Sequence, residues 1–301
     1  MPDSANETQL SIPEGVLLGH ALASRVADSL GIRAFFIKGP ASVIQGLRQP
    51  RMSGDVDIFV APSNLEQMLE GLRERGWRER PVDPDSRTFP KHSVTVDHPE
   101  WPCCIDVHFR FPGMENPASD CFEVMLVNTE DLELAGQEVR VPSTALGILI
   151  LALHALRSPE LPACRQELEF LAHLTERQAQ ASSVLEMAIA TGSLAAMRPF
   201  LEDLLPKTAV LAWPQPSMEW RNRLLAQEPG SARLIAVLQA PWQIKPKMLW
   251  FAAFPQQEAL LSVNIYADTS LRGRLLQHRA RWARFLRSAP QLMRNLKGLD
   301  G

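Results

Sequence analysis

The chain of 301 residues is 46% hydrophobic and 22% charged, enough apolar material for one large domain or two ordinary ones. Its formal net charge is −3, from 31 basic and 34 acidic residues, so nucleic acid is not favoured as a partner. The longest clean apolar run, residues 145–156, falls well short of the ~20 residues that a bilayer-spanning helix needs, and no membrane span is expected.

The polar stretch 1–15 lacks the basic start and apolar centre of a secretory signal. Four cysteines without a C-x-x-C pair read as reduced thiols, which predicts a cytoplasmic protein. Residues 13–30 carry Val16, Leu17, Leu22, Val26 and Leu30 at helical spacing, and Gly31 closes that helix. "IRAFFIKG" (32–39) reads as a short buried strand, and Pro40 then suits the first turn of a helix over "PASVIQGL". A basic loop leads to the strand "DVDIFV" (55–60). Ser63 is the predicted cap of a helix over 63–75. "HSVTVDH" and "CCIDVHFRF" form a predicted hairpin around the loop "PEWP", and "QEVRVPS" (137–143) is a last strand. Beyond Ser143 leucine-rich helical stretches broken by prolines run almost to the end. The predicted organisation is an α/β domain over 1–142 and a helical domain over 143–301.

Asp55 and Asp57 stand two apart in a strand and therefore share a face. Two like charges side by side in apolar surroundings are costly unless cations neutralise them. Mg²⁺ takes oxygen ligands, often one or two carboxylates plus substrate phosphates. With thirteen aspartates in the chain, one D-x-D is expected by chance, and Asp83-Pro84-Asp85 is such a pair in a turn-rich loop. The 55/57 pair has further support. In "CIDVHFRF" the alternation puts Asp106, His108 and Arg110 on one face, offering a third carboxylate as metal ligand or general base, although a one-sided strand facing water has the same pattern. Lys38-Gly39 ends a strand where a helix opens, a place suited to phosphate.

Together, "IKGPASVIQGLRQPRMSGDVDIFV" and "IDVHF" resemble the nucleotidyltransferase superfamily of the polymerase-beta-like fold. The likeness is closer to one bacterial branch, the uncharacterised nucleotidyltransferases with Lys-Gly at the phosphate turn. The resemblance implies an α+β fold, a mixed sheet with flanking helices followed by a mostly helical domain. It implies Asp55, Asp57 and Asp106 as catalytic and metal-binding residues, with Mg²⁺ or Mn²⁺ as cofactor. It further implies Lys38, Gly39, Arg51, Ser53 and Gly54 at the nucleotide, and His108, Arg110 and His154 as acceptor or supporting residues. Glu167 or Glu169 stands where the branch has an aspartate.

Two other patterns are weaker. "HPEWPCC" mimics a zinc-deaminase signature, but its adjacent cysteines cannot easily reach one ion. Residues 272–297 carry eight Arg/Lys and no acid. They are expected to pack an apolar side on the domain, with a membrane surface, acidic partner or nucleic acid as the other reading. The leading expectation is transfer of a nucleoside monophosphate from an NTP to an unidentified acceptor (a small molecule, peptide or protein). The alternative is a non-catalytic nucleotide-binding or adaptor module.

Overall fold

The computed structural model describes residues 10–81, 89–206, 212–226, 231–254, 268 and 270–297. Asp83-Pro84-Asp85 lies outside them. The chain divides into two compact units, residues 1–79 with 92–214 and residues 80–91 with 215–301.

The first unit opens with α1 (Ile12–Ser29), β1 (Ala34–Phe36) and α2 (Gly39–Ile44). Then come β2 (Asp55–Val60), α3 (Leu65–Arg73), β3 (Arg78–Glu79), β4 (Ser93–Asp97) and β5 (Cys104–His108). The five strands form one mixed sheet in the order β1-β2-β5-β4-β3. Only the β2–β5 pair is parallel, and its register sets Asp57 opposite Asp106.

One face of the sheet is apolar. Val56, Ile58, Val60, Ile105 and Val107 are fully buried there with Val16 and Val26 of α1 and Met68 and Leu72 of α3. The alternation of the strands produces this face, and its burial against two helices is a large stabilising contribution. Helix α1 lies close: a Cβ on Gly19 would stand 2.9 Å from Val56 Cγ2, so only glycine permits that approach. The opposite face changes character along β2. Phe59 stacks with Phe35 of β1 and with Phe122 at ring-centroid separations of 5.3 and 6.4 Å, while Asp57 and Asp55 occupy the other end.

Phe122 belongs to α4 (Ala118–Val127), which is followed by the hairpin β6 (Thr129–Leu134) and β7 (Gln137–Pro142). Neither α4 nor β6 was among the predicted elements. Acid-rich "TEDLEL" has only two apolar residues, Leu132 and Leu134, to mark its buried side. Ser63 is also corrected: it sits in a 3-10 turn over Pro62–Asn64, and Asn64 precedes α3.

Helix α5 (Thr144–Ala155) packs on β7 and on α6 (Pro162–Arg177), α7 (Ala181–Ala190) and α8 (Leu194–Leu201). Its residues Leu146 and Ile148 to Leu153 are all at most 1% exposed, as befits a helix apolar all round and buried in a core. The expected division at 142–143 therefore marks the end of the strands but falls inside the first compact unit.

The second unit holds α9 (Met218–Leu225), α10 (Ser231–Gln239), α11 (Lys245–Ala253) and α12 (Leu271–Lys297). Ser217 caps α9 by accepting from the Trp220 N–H, and the Asn222 and Gln239 amides pair reciprocally between α9 and α10. Leu275, Leu276 and Leu286 of α12 are exposed, so the expected covering of its apolar side is not found at these positions. Among the described residues no helix is long and apolar enough to cross a membrane.

Candidate active site

Lys38, at the end of the segment leaving β1, has φ 61° and ψ −146°, a backbone region almost reserved for glycine. Gly39 follows at φ 53° and starts α2. These two steps turn the chain back over the sheet, and the lysine side chain is thereby directed at β2. Lys38 Nζ lies 2.7 Å from Asp57 Oδ1.

The same oxygen accepts a second contact, from His108 Nε2 at 2.7 Å. Asp57 and His108 are both almost fully buried, at 4% and 3% exposure. The polar face of the strands is thus covered at Asp57 and His108, while Asp106 and Arg110 on the same face stay partly exposed. Burial alone raises the Asp57 carboxyl. The His108 hydrogen bond and the Lys38 charge outweigh it and hold Asp57 well below the usual carboxylate range. Asp55 is only half-buried, and its Oδ1 accepts from Ser53 Oγ at 3.2 Å. Burial first, and the neighbouring Asp57 charge second, push Asp55 up. The two aspartates of the pair therefore have opposite electrostatic settings.

Asp106 faces Asp57 across the parallel strands, and its buried Oδ1 has no hydrogen-bond partner. The donor atoms of Asp57, Asp106 and His108 lie within 4.8 Å of one another, compact enough for one cation. Carboxylate oxygens and an unpartnered buried Oδ1 fit a divalent ion. A Cβ at Gly54 would meet no heavy atom within 4 Å, so space is open directly before Asp55.

His154 on α5, partly exposed but with its Nδ1 buried, lies close enough for Lys38 and Asp57 to act on it. Burial, then the charges of Lys38, Arg157 and Arg48, push its pKa down to about 3. Arg51 and Arg110 are the remaining expected site residues. Arg51 is half-exposed, with Nη1 4.0 Å from Glu167 Oε2. Arg110 joins its backbone N–H to the His92 carbonyl, and its charge acts on Cys121 of α4. Glu167 itself is buried in an ion pair with Arg48 Nε, tying α6 to the segment between α2 and β2.

His20 was not singled out from the sequence. It is fully buried on α1, and its Nδ1 lies 2.7 Å from the Val16 carbonyl. Its Nε2 has no partner and stands 3.7 Å from where a Gly39 Cβ would be. A histidine on the apolar side of an otherwise apolar helix was the only available signal. In "HPEWPCC", Cys103 enters the core while Cys104 lies on the other face, and His98 meets Trp77 in a tilted ring contact. The motif assembles no ion site.

A family model described as "Uncharacterised nucleotidyltransferase" matches residues 21–201. The chain belongs to that nucleotidyltransferase family. The match begins inside α1 and ends with α8, so it takes in every expected site residue, from Lys38 to His154, and starts just after His20. No curated protein shows significant similarity to this nucleotidyltransferase. Among solved structures it is similar to lincosamide antibiotic adenylyltransferase LnuA in its lincomycin-bound form, at 12% identity and a TM-score of 0.35. That match covers 52% of this chain and 94% of LnuA. It is similar to ANT(2")-Ia in complex with adenylyl-2"-tobramycin at 14% identity, TM-score 0.38, over 59% and 97% of the two chains. An antigenic nucleotidyltransferase-like protein from Paracoccidioides brasiliensis matches at 17% identity, TM-score 0.38, over 65% and 93%. With identity and superposition both low, the family assignment of this nucleotidyltransferase rests on the matched sequence model.

Proposed function

We propose that the protein transfers a nucleoside monophosphate from an NTP to a hydroxyl or amine of an acceptor (a small molecule, peptide or protein), with Mg²⁺ or Mn²⁺. The observation that carries this reading is the buried juxtaposition of Asp57, Asp106 and Lys38 at one end of the parallel strand pair. Asp55, Asp57 and Asp106 would hold the divalent cation, which when bound supplies charge neutralisation to the phosphates.

Lys38 serves as a point charge for the phosphates, since its ammonium already stands beside Asp57. Gly39, Ser53 and Gly54 bring backbone and hydroxyl close to the nucleotide, and Arg51 contributes charge from the adjoining segment. The acceptor heteroatom attacks the α-phosphorus, the bond to the bridging oxygen breaks, and pyrophosphate leaves. Asp106 takes the acceptor proton through its unpartnered Oδ1. Burial of His154 keeps its imidazole neutral beside the site, where it supports the acceptor without adding positive charge. Four free cysteines support a reducing, cytoplasmic setting for the reaction.

The test is pyrophosphate release with Mg²⁺ and each NTP across a panel of acceptors. Asp57→Asn and Asp106→Asn are expected to lower the rate by roughly 100-fold or more while retaining a cooperative melt. Unchanged release in both variants places the chemistry elsewhere. Nucleotide binding with no turnover of any acceptor returns the protein to a binding-module role.

A further inference from the structure

We propose that α12 is a membrane-surface helix, lying on an anionic phospholipid bilayer with its apolar stripe at the boundary between headgroups and acyl chains. The surface belongs to the second compact unit, and its role does not depend on the transfer reaction.

The small net charge of the chain conceals a strong asymmetry. Residues 80–91 and 215–301 hold 16 of the 31 basic residues and only 7 of the 34 acidic ones, a formal charge of +9 against −12 for the first unit. Asymmetry of that size between parts of a chain points to a polyanionic partner, nucleic acid or membrane. Eight of these basic residues fall in α12, which contains no acid.

The helix is also divided along its length. At 3.6 residues per turn, Leu271, Leu275, Trp282 and Leu286 fall within about 60° of its circumference. The three leucines are 73%, 64% and 65% exposed, and Trp282 is 43% exposed. Arg272 and Arg279 border this stripe on one side, Arg274 and Arg281 on the other. Leu276 falls outside it. Basic residues around an exposed Leu/Trp stripe are the pattern of a helix that lies in a lipid interface. No described helix can cross a bilayer, so α12 lies on the surface and does not span it.

The stripe decides among the polyanions. Nucleic acid is held by phosphate contacts and by bases stacked on aromatic rings, and exposed leucines gain nothing there. A second copy pairing through the same stripe would set arginines against arginines along both borders. An anionic bilayer meets both parts of the helix: lipid phosphates take the arginines, and the acyl boundary takes the leucines. Trp282 suits that depth, because an indole has an apolar body and a polar N–H. Trp242 and Trp250 of the same unit are exposed as well, at 77% and 63%.

The experiment mixes the full chain with vesicles of phosphatidylcholine, or of phosphatidylcholine with about one third phosphatidylglycerol, and separates bound protein by flotation. Binding to the anionic vesicles is expected to be roughly tenfold tighter or more. It should fall as salt rises from about 0.1 to about 1 M, which shortens the Debye length from ~10 to ~3 Å. The double variant Leu275→Glu/Leu286→Glu is expected to weaken binding roughly tenfold or more. Arg272→Gln and Arg279→Gln should each weaken it roughly fivefold. All four positions are exposed, so these variants are expected to keep the wild-type far-UV circular dichroism. Lipid brominated on its acyl chains should quench tryptophan fluorescence less in Trp282→Phe than in wild type. Failure to bind anionic vesicles overturns the proposal, as does equal binding to both vesicle types. Binding that survives unchanged in the leucine variant also overturns it, since charge alone then accounts for the contact. A single-stranded RNA oligonucleotide bound more tightly than the vesicles assigns the helix to nucleic acid instead. A dimer that the leucine variant dissociates, without vesicle binding, assigns it to self-association; either result sinks the membrane reading.

Discussion

Glu167→Gln leaves the Arg48 guanidinium buried opposite a neutral amide. The side chains of the pair are only 6% and 8% exposed, so water cannot take over the solvation of the remaining charge. Removing one partner of a buried ion pair costs about 3–5 kcal/mol, because the other charge stays desolvated. In a unit of about 200 residues each kcal/mol lowers Tm by roughly 2–4 °C, so the expected fall is roughly 6–20 °C. The assay is urea unfolding followed by circular dichroism, with the midpoint of the first unit compared at unchanged slope. The double variant Arg48→Met/Glu167→Leu removes both charges and is expected to recover most of the loss. A single-variant loss under about 1 kcal/mol, the size of an exposed pair, refutes the buried-charge reasoning.

Two more outcomes follow from the geometry. Lys38 occupies a backbone region that costs a non-glycine residue about 1–3 kcal/mol, so Lys38→Gly is expected to be more stable than Lys38→Ala by about 1 kcal/mol or more. That order reverses the usual preference for alanine, both variants should lose pyrophosphate release, and an alanine variant of equal or greater stability refutes the strain. His154 contributes a pH dependence. Its folded pKa is pushed down to about 3 from 6.5, so below pH 6.5 the unfolded chain binds a proton that the folded chain refuses. Stability is therefore full above 6.5 and falls with acid at up to about 1.4 kcal/mol per pH unit until about pH 3. Urea midpoints at pH 7 and pH 5 should differ by about 2 kcal/mol less in His154→Leu than in wild type, and identical pH dependence contradicts that burial.

The strands carrying Asp57 and Asp106 were legible because their alternation is regular. Period two separates Val56 and Ile58 from the aspartates, and Ile105 and Val107 from Asp106 and His108. Lys38-Gly39 was legible through the glycine and proline that flag a turn into a helix. Helix α4 and strand β6 were not legible, since their buried residues are few and the partners that cover them are remote in sequence. His20 was hidden for a similar reason: a lone histidine on an apolar helix face looks the same whether it meets the core or a phosphate turn. Arg51, shortly before Asp55, was singled out only through the family resemblance, and its guanidinium lies near Glu167 on α6.

By itself the sequence determined the mixed α+β architecture, the shared face of Asp55 and Asp57 and that of Asp106 and His108, and membership of a nucleotidyltransferase family. These depend on local periodicity and on short motifs, which a linear reading can count. Tertiary structure alone decided that β2 and β5 run parallel with Asp57 opposite Asp106, and that His108 and Lys38 meet on one carboxylate oxygen. It also decided that Asp57 ionises more readily than Asp55. Those properties come from register and burial between segments about 50 residues apart, and no local pattern encodes the dielectric around a side chain.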